Sequence, residues 1–302
     1  MGEILTKAGG FVAIIILGYV LKKIGVFKKE DFPILSRLLM RVTFPAAIVY
    51  SFAGRELDPS MLILSLVAIG CGVLYMGVAW LVNLRNSREQ KAYDILNLPG
   101  YNIGNFTMPF VQSFLGSTGI IATSIFDVGN AVIVLGGAFG IASTVNSGAK
   151  FSAKRILKAL GKSVPFMTYL VMMLLNFMHI QLPEAVTNFV GVIGNANPFM
   201  AMFVIGVGFE LSGNRAQLGK IARILGLRYG IAALLGALFW FVLPFSLEVR
   251  QALLILAFSP IGSAVPAFTA EIDGDVGLSS ATNSIAILIS VVINIVLLSV
   301  IL

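Results

Sequence analysis

The stretch LPGYNIGNFTMPFVQSFL, residues 98–115, is apolar enough for a membrane-spanning helix, but its centre is unsuited to one. Two glycines, two asparagines, a threonine and a proline fall within ten residues: Gly100, Asn102, Gly104, Asn105, Thr107 and Pro109. Glycine is a weak helix former, and proline lacks an N–H donor and clashes with the preceding turn. Interrupted backbone at membrane depth is tolerated where it is buried in protein or lines a cavity. The stretch therefore predicts a broken helix at the floor of a ligand site.

The composition of the whole chain predicts an all-α polytopic membrane protein. Of 302 residues, 58% are hydrophobic and 12% are charged, whereas soluble domains carry about 25% charged residues. The net charge of +7 fits the positive-inside rule and gives no reason to expect nucleic acid as a partner. A single cysteine, Cys71, and a single histidine, His179, argue against a disulfide or a Cys/His metal site. We expect neither an enzyme, since no nucleophile–base pair is evident, nor a cofactor.

Ten apolar segments have about the length, roughly 20 residues, that crosses the hydrocarbon core of a bilayer. They are residues 4–21, 32–53, 61–84, 93–115, 119–143, 164–180, 185–211, 221–243, 249–270 and 277–301. The loops after spans 1, 3, 5 and 7 hold 15 of the 21 Lys and Arg residues. The positive-inside rule places these loops in the cytoplasm, so both termini are predicted to lie outside.

A basic segment, KFSAKRILKALGK at residues 150–162, divides the chain into two halves of five spans. It predicts a cytoplasmic amphipathic linker, residues 146–163, between residues 1–145 and 164–302. Because five is odd, homologous halves have opposite topology. The fourth span of each half is interrupted, by NIGNFTMPF in the first and by SPIGSAVPAF, residues 259–268, in the second. Such pairs indicate the binding site of a secondary transporter, although coincidental kinks remain the alternative.

Polar side chains at membrane depth are the candidate functional residues. In the two breaks, the candidates for substrate binding are Asn102, Asn105, Thr107 and Ser263. The N–H groups at the start of a half-helix favour a carboxylate, and an asparagine amide donates to an anion or binds a cation through its carbonyl. The alternative is that these side chains only satisfy backbone groups left open by the prolines. We expect Asn102 to contact substrate, whereas Asn105 contacts either substrate or backbone.

Further candidates lie outside the breaks. Asp127 is roughly 13 Å into span 5, and Asn130 shares its helix face. A carboxyl at this depth indicates either an H⁺ or Na⁺ coupling site or a structural hydrogen bond to a break or an arginine. Arg41, in span 2, either attracts an anion or extends to the cytoplasm. Asn197 in span 7 either contacts ligand or caps a half-helix.

The sequence resembles the auxin efflux carrier family, which includes bacterial carboxylate transporters and plant auxin carriers. The similarity covers essentially the whole chain and is most specific in NIGNFTMP (102–109), PFMAMFVIG (198–206) and PIGSAVP (260–266), with TAE (269–271) and LSSAT (278–282) following. By position, Asn102, Pro109 and Pro266 match residues of the family's crossing breaks. Ser263 and Ala264 depart from the simpler Gly-Ile-Val-Pro pattern of plant members.

The resemblance implies two inverted five-helix repeats whose broken, crossing helices 4 and 9 form an anion site. It implies a scaffold of spans 1, 2, 6 and 7, a mobile transport domain of spans 3–5 and 8–10, and elevator-like alternating access. It further implies a homodimer and, since the linker is short, a prokaryotic cell (inner) membrane. Bile-acid/sodium symporters share this architecture.

The leading functional hypothesis is a secondary carrier of a small organic anion, such as an indole carboxylate or a dicarboxylate. The alternatives are a sodium-coupled symporter of the bile-acid type and a membrane receptor that binds a ligand without transporting it.

Overall fold

The computed structural model describes residues 2–209 and 217–302, and every regular element in these ranges is helical. Residues 210–211, at the predicted end of span 7, lie outside the described residues. The helices are α1 (Gly2–Lys23), α2 (Phe32–Phe52), α3 (Pro59–Val82), α4 (Arg88–Asn97), α5 (Met108–Phe114), α6 (Gly116–Ser147), α7 (Ala153–Lys162), α8 (Val164–Phe177), α9 (Glu184–Gly208), α10 (Leu218–Phe241), α11 (Leu247–Ala257), α12 (Val265–Glu271) and α13 (Val276–Ile301).

Six helices in the described ranges are long and apolar enough to cross a membrane: α2, α3, α6, α9, α10 and α13. They confirm a polytopic membrane protein. The other predicted spans correspond to α1, which has 22 residues, to α8, and to two pairs of short helices, α4 with α5 and α11 with α12. The total of ten spans and the repeat layout stay predictions.

The helices pack mainly within two groups. In the first group, α1 lies along α9, and α2 packs against α8 and α9. In the second group, α3 packs against α4 and α6, α10 against α11, and α12 against α13. The groups meet where α5 contacts α9 and where α6 contacts α2 and α8. The broken helices α4–α5 and α11–α12 both belong to the second group.

A buried carboxylate, that of Asp94, joins three helices of the second group. Asp94 accepts hydrogen bonds from Asn83 at 2.6 Å and Gln90 at 2.8 Å, and pairs with Arg223 at 2.5 Å. Because a buried charge is stable only when it is paired and hydrogen-bonded, this cluster ties α3, α4 and α10 together.

Candidate functional site

The first break follows from a glycine and a proline placed nine residues apart. Helix α4 ends at Asn97, and Gly100 adopts φ +81°, which is a left-handed conformation that side chains other than glycine rarely adopt. A Cβ at Gly100 would also lie 2.7 Å from Val134. The chain becomes helical again in a wide turn over Ile103–Thr107, and Pro109 lies in the first turn of α5. Asn102 therefore stands at the entrance to the second half-helix.

The second break lies directly against the first. Helix α11 ends at Ala257, and α12 begins at Val265 with Pro266 in its first turn. The Asn102 backbone N–H donates to the Pro260 carbonyl at 3.0 Å. The structure thus brings together two segments more than 150 residues apart in sequence.

Side chains reinforce this contact. The Asn105 amide donates to the Ser263 hydroxyl at 2.9 Å, and the hydroxyls of Thr107 and Ser259 are hydrogen-bonded to each other. All four side chains come from the predicted breaks. The amide oxygen of Asn105 is buried and has no hydrogen-bond partner among the described residues.

Arg228, on α10, holds the open backbone of both breaks. Its guanidinium donates to the carbonyls of the first break at Leu98 (2.6 Å) and Gly100 (2.8 Å), and to those of the second at Ser259 (2.7 Å) and Pro260 (3.0 Å). The side chain is 1% exposed. Carbonyls released by broken helices need donors when water is excluded, and a planar guanidinium provides several in a fixed array.

Arg228 was not among the residues that the sequence predicted for the site. The available signal was that an arginine in the middle of an apolar span must find polar partners inside the protein. In the structure, Arg228 forms no ion pair with a carboxylate among the described residues, and the rings of Tyr75 and Tyr101 lie 5.6 Å from it. Among the described residues, its positive charge is thus balanced by neutral carbonyl dipoles and aromatic faces.

A second polar group connects the first break to α8. Asp127 is half-buried and accepts hydrogen bonds from Asn130 at 2.8 Å and from the Tyr169 hydroxyl at 2.9 Å. Asn130 in turn accepts from the Tyr101 N–H and donates to the Tyr101 carbonyl. Since Tyr101 precedes Asn102, a continuous chain of hydrogen bonds runs from α8 to the contact between the breaks.

Two cavities flank the contact between the breaks. The Asp127 cavity has a volume of about 130 Å³. The Phe32 cavity has a volume of about 440 Å³. Both are lined by Asn102, Asn105 and Ser263. The first also contains Asp127, Asn130 and Tyr169. The second contains Phe32, Val204, Ile205, Pro266, Asn283 and Ile287.

The remaining predicted site residues have other environments. Thr107 and Pro109 are buried and line neither cavity. Arg41 is exposed and also lines neither cavity. Asn197 is buried, donates to Gln112 at 3.2 Å and accepts from Thr43 at 3.3 Å. The structure therefore gathers Asn102, Asn105, Ser263 and Pro266, with Asp127 and Asn130, and leaves Arg41 and Asn197 apart from them.

Within the described ranges, no three His, Cys, Asp or Glu side chains are grouped closely enough to hold a metal ion. The polar groups around the breaks are instead amides, hydroxyls and backbone carbonyls, which suit recognition of a small polar group by hydrogen bonds.

The chain is similar to an uncharacterized transporter. That protein, from Methanothermobacter thermautotrophicus, is 24% identical over 286 residues, which cover 93% of each chain. No family model matches the sequence. The composition, the helices and this relative together indicate a transporter-like, multi-pass membrane protein, which is compatible with the expectation that the chain is not an enzyme. The assignment to the auxin efflux carrier family in particular stays a resemblance.

Proposed function

We propose that the protein is a secondary transporter of a small organic anion that binds where the two breaks meet. The observation that carries the proposal is the contact between the breaks, in which Asn102 pairs with Pro260 and Arg228 donates to both segments. Paired broken helices at membrane depth form the binding sites of many secondary transporters.

The charge of Arg228 favours an anion over a cation at this place. A guanidinium removed from water and left without a carboxylate partner produces a positive potential in its surroundings. An organic anion beside Asn102 and Ser263 would lower the electrostatic energy of the site. A cation such as Na⁺ would be repelled there, and the carbonyls that a cation needs already accept from Arg228.

The cavities suit a substrate with one polar and one apolar part. Asn102, Asn105 and Ser263 offer hydrogen bonds to a carboxylate, and the unpartnered Asn105 oxygen can accept from a hydroxyl or N–H group of the substrate. The larger Phe32 cavity adds apolar walls from Val204, Ile205 and Ile287. We propose that the carboxylate lies at the breaks and the apolar body extends into the Phe32 cavity, as an indole carboxylate would.

The packing of the helices supports an elevator mechanism. The group that contains α3–α6 and α10–α13 holds both breaks, so it can carry the substrate as a unit, while α1, α2, α8 and α9 form the scaffold. Each cavity reaches residues next to basic loops, Phe32 in one and Pro165 in the other. In the proposed topology, this conformation faces the cytoplasm.

Asp127 supports a coupling role for a proton or a cation. Its carboxylate lines a cavity beside the breaks and accepts a hydrogen bond from the scaffold residue Tyr169. It is not one of the groups that accept a hydrogen bond from Arg228. A sodium-coupled symporter remains the second candidate for this reason. Sodium-dependent thermal stabilisation that is lost in Asp127→Asn would support it, and stabilisation by Na⁺ that is equal in wild type and variant would place sodium elsewhere.

The substrate site is tested by binding to the purified protein. We expect one of indole-3-acetate, malate and malonate to bind, and Asn102→Ala to weaken that binding roughly 10- to 100-fold, because a hydrogen bond to a charged group contributes about 1.5–3 kcal/mol. Asn294→Ala is the matched control, since Asn294 is buried on α13 and lines neither cavity. Equal binding by wild type and Asn102→Ala would contradict the assignment.

A further inference from the structure

The basic linker forms a helix that turns sharply into the apolar helix α8. Helices α7 and α8 meet at an angle of 79°. Ser163 separates them, because its side chain accepts a hydrogen bond from the Phe166 N–H and so starts α8, with Pro165 in the first turn. Since α8 matches predicted span 6, a helix at 79° to it lies near the plane of the membrane surface.

Among the described residues, helix α7 carries more positive charge than its contacts with acidic residues neutralise. The helix contains four basic residues and no acidic residue. Arg155 pairs with Glu271 at 2.5 Å. Lys154, Lys158 and Lys162 are exposed and form no ion pair with a carboxylate among the described residues. They follow at intervals of four residues, so adjacent lysines lie on neighbouring turns of the helix.

An apolar groove begins where this charged helix ends. It lies between α2 and α8, has a volume of about 340 Å³ and includes Lys162 at the α7–α8 junction. Val49, Val164, Met167 and Val171 form its apolar walls. Met167 and Val171 are exposed in the structure, so the groove opens to the outside of the helix bundle.

We propose that this groove is a binding site for an anionic phospholipid. One acyl chain lies along α8 against Val164, Met167 and Val171, and the phosphate contacts the ammonium groups of Lys158 and Lys162. A phospholipid matches both halves of the site, because apolar burial favours the chain and the positive charge favours the head group. This proposal depends on the membrane orientation of α8 and is independent of what the protein transports.

The charges argue against a second copy of the chain as the occupant. A two-fold symmetric contact places the same surface of both copies together. Such a contact across this groove would bring the unpaired lysines of the two copies near each other without acidic partners. An anionic lipid neutralises them instead.

The experiment measures lipid binding by native mass spectrometry of the full chain in a neutral detergent. Phosphatidylglycerol and phosphatidylcholine with identical acyl chains are compared, and glycerophosphoglycerol tests the head group without chains. We expect phosphatidylglycerol to bind more tightly than phosphatidylcholine and glycerophosphoglycerol not to bind. In the double variant Lys158→Gln/Lys162→Gln, affinity for phosphatidylglycerol falls roughly 10- to 30-fold, at about 1 kcal/mol per lysine. Arg85→Gln/Arg88→Gln removes equal charge from another basic loop and leaves the affinity unchanged.

A second pair of variants tests the groove itself. Val171→Trp fills the groove and is expected to lower binding of phosphatidylglycerol, whereas Val292→Trp, at an exposed position of α13 outside the groove, is not. Equal binding of both lipids, or unchanged affinity in the lysine double variant, would overturn the proposal. So would a dimer that forms through this face and excludes lipid, seen as dimer mass that Val171→Trp converts to monomer.

Discussion

The Arg228 guanidinium connects the two breaks through four carbonyl groups in a water-poor region. The Pro260 carbonyl also accepts from the Asn102 N–H, so three carbonyls, those of Leu98, Gly100 and Ser259, depend on Arg228 as their donor among the described residues. We therefore expect Arg228→Met, which keeps an unbranched apolar stem but no donors, to be strongly destabilising. Buried carbonyls without donors cost about 1–3 kcal/mol each, so the variant should lose at least about 3 kcal/mol of stability. Thermal unfolding in detergent measures the loss.

Arg250→Met is the control for that measurement. Arg250 donates to a single carbonyl, that of Trp240, at 3.1 Å, and is only half-buried. Its replacement should lower the melting temperature by much less. A melting temperature of Arg228→Met equal to that of Arg250→Met would show that the breaks do not depend on the guanidinium.

At this scale, the sequence predicted which residues surround the breaks better than it predicted which residue donates hydrogen bonds to their open carbonyls. Asn102 and Asn105 were identifiable because polar residues beside Gly and Pro in an apolar run indicate a functional or structural role. The partner of the open carbonyls was not identifiable, since a lone arginine in span 8 carries no information on which neighbouring helix it faces. Likewise, the position of Asn197 next to Pro198 did not reveal that its amide would be hydrogen-bonded to Gln112 and Thr43.

At the scale of elements, the Tyr169 hydroxyl adds a hydrogen bond to the packing of α6 against α8, because it donates to Asp127. Replacing Tyr169 with Phe removes the donor to Asp127 and loosens the chain of hydrogen bonds that ends at the Tyr101 backbone. We expect faster hydrogen–deuterium exchange over residues 101–107 in this variant.

Tyr229→Phe is the matched control, because the Tyr229 hydroxyl bonds to Ala286 and Ser290 within the second packing group. Both variants lose one hydrogen-bonded tyrosine hydroxyl, but only Tyr169→Phe should alter exchange at the first break. Equal exchange in the two variants would show that Asp127 does not connect α8 to the break.

Helices α1 and α9 approach so closely that Gly206 leaves no room for a side chain. A Cβ there would lie 2.1 Å from the Ile15 carbonyl oxygen, whereas a Cβ at Gly230, on α10, would meet nothing within 4 Å. Gly206→Ala should therefore lower the melting temperature. Gly230→Ala should raise it slightly, because alanine is more stable than glycine in a helix by about 0.5–1 kcal/mol. A melting temperature unchanged in Gly206→Ala would contradict this packing of α1 on α9.

The broken helices were predictable as elements, but their meeting was a hypothesis until the structure placed Asn102 against Pro260. Gly100 and Pro109 dictate local backbone, and local rules say where a helix stops. Which other segment satisfies the freed backbone depends on contacts more than 150 residues away, which helix propensity does not encode. The start of α8 belongs to the predictable class, because Ser163 and Pro165 mark a helix start.

At the scale of the whole molecule, an elevator mechanism requires the two packing groups to slide past each other. The hydrogen bond between Gln112 on α5 and Asn197 on α9 crosses their boundary. A cysteine at each of these positions, in a Cys71→Ala background, allows the groups to be joined by a short bifunctional thiol reagent. We expect cross-linking to abolish exchange of substrate across the membrane. Chemical cleavage of the cross-linking reagent should restore exchange.

The control pair is Tyr229→Cys/Ser290→Cys, whose side chains contact each other within one group. Cross-linking there should leave exchange intact. Full exchange by the cross-linked Gln112–Asn197 pair would rule out sliding at this boundary.

The central claim, an anion carrier whose site is the meeting point of the breaks, is tested most directly by counterflow. Proteoliposomes loaded with unlabelled indole-3-acetate, malate or malonate receive the same labelled anion outside, and uptake is followed for the wild type and for Asn102→Ala. We expect the wild type to accumulate at least one labelled anion. At limiting substrate, the uptake rate of the variant should be lower by about tenfold or more, because one charge-assisted hydrogen bond to the substrate is lost. Binding without exchange, as expected of a receptor, or equal exchange by Asn102→Ala, would contradict it.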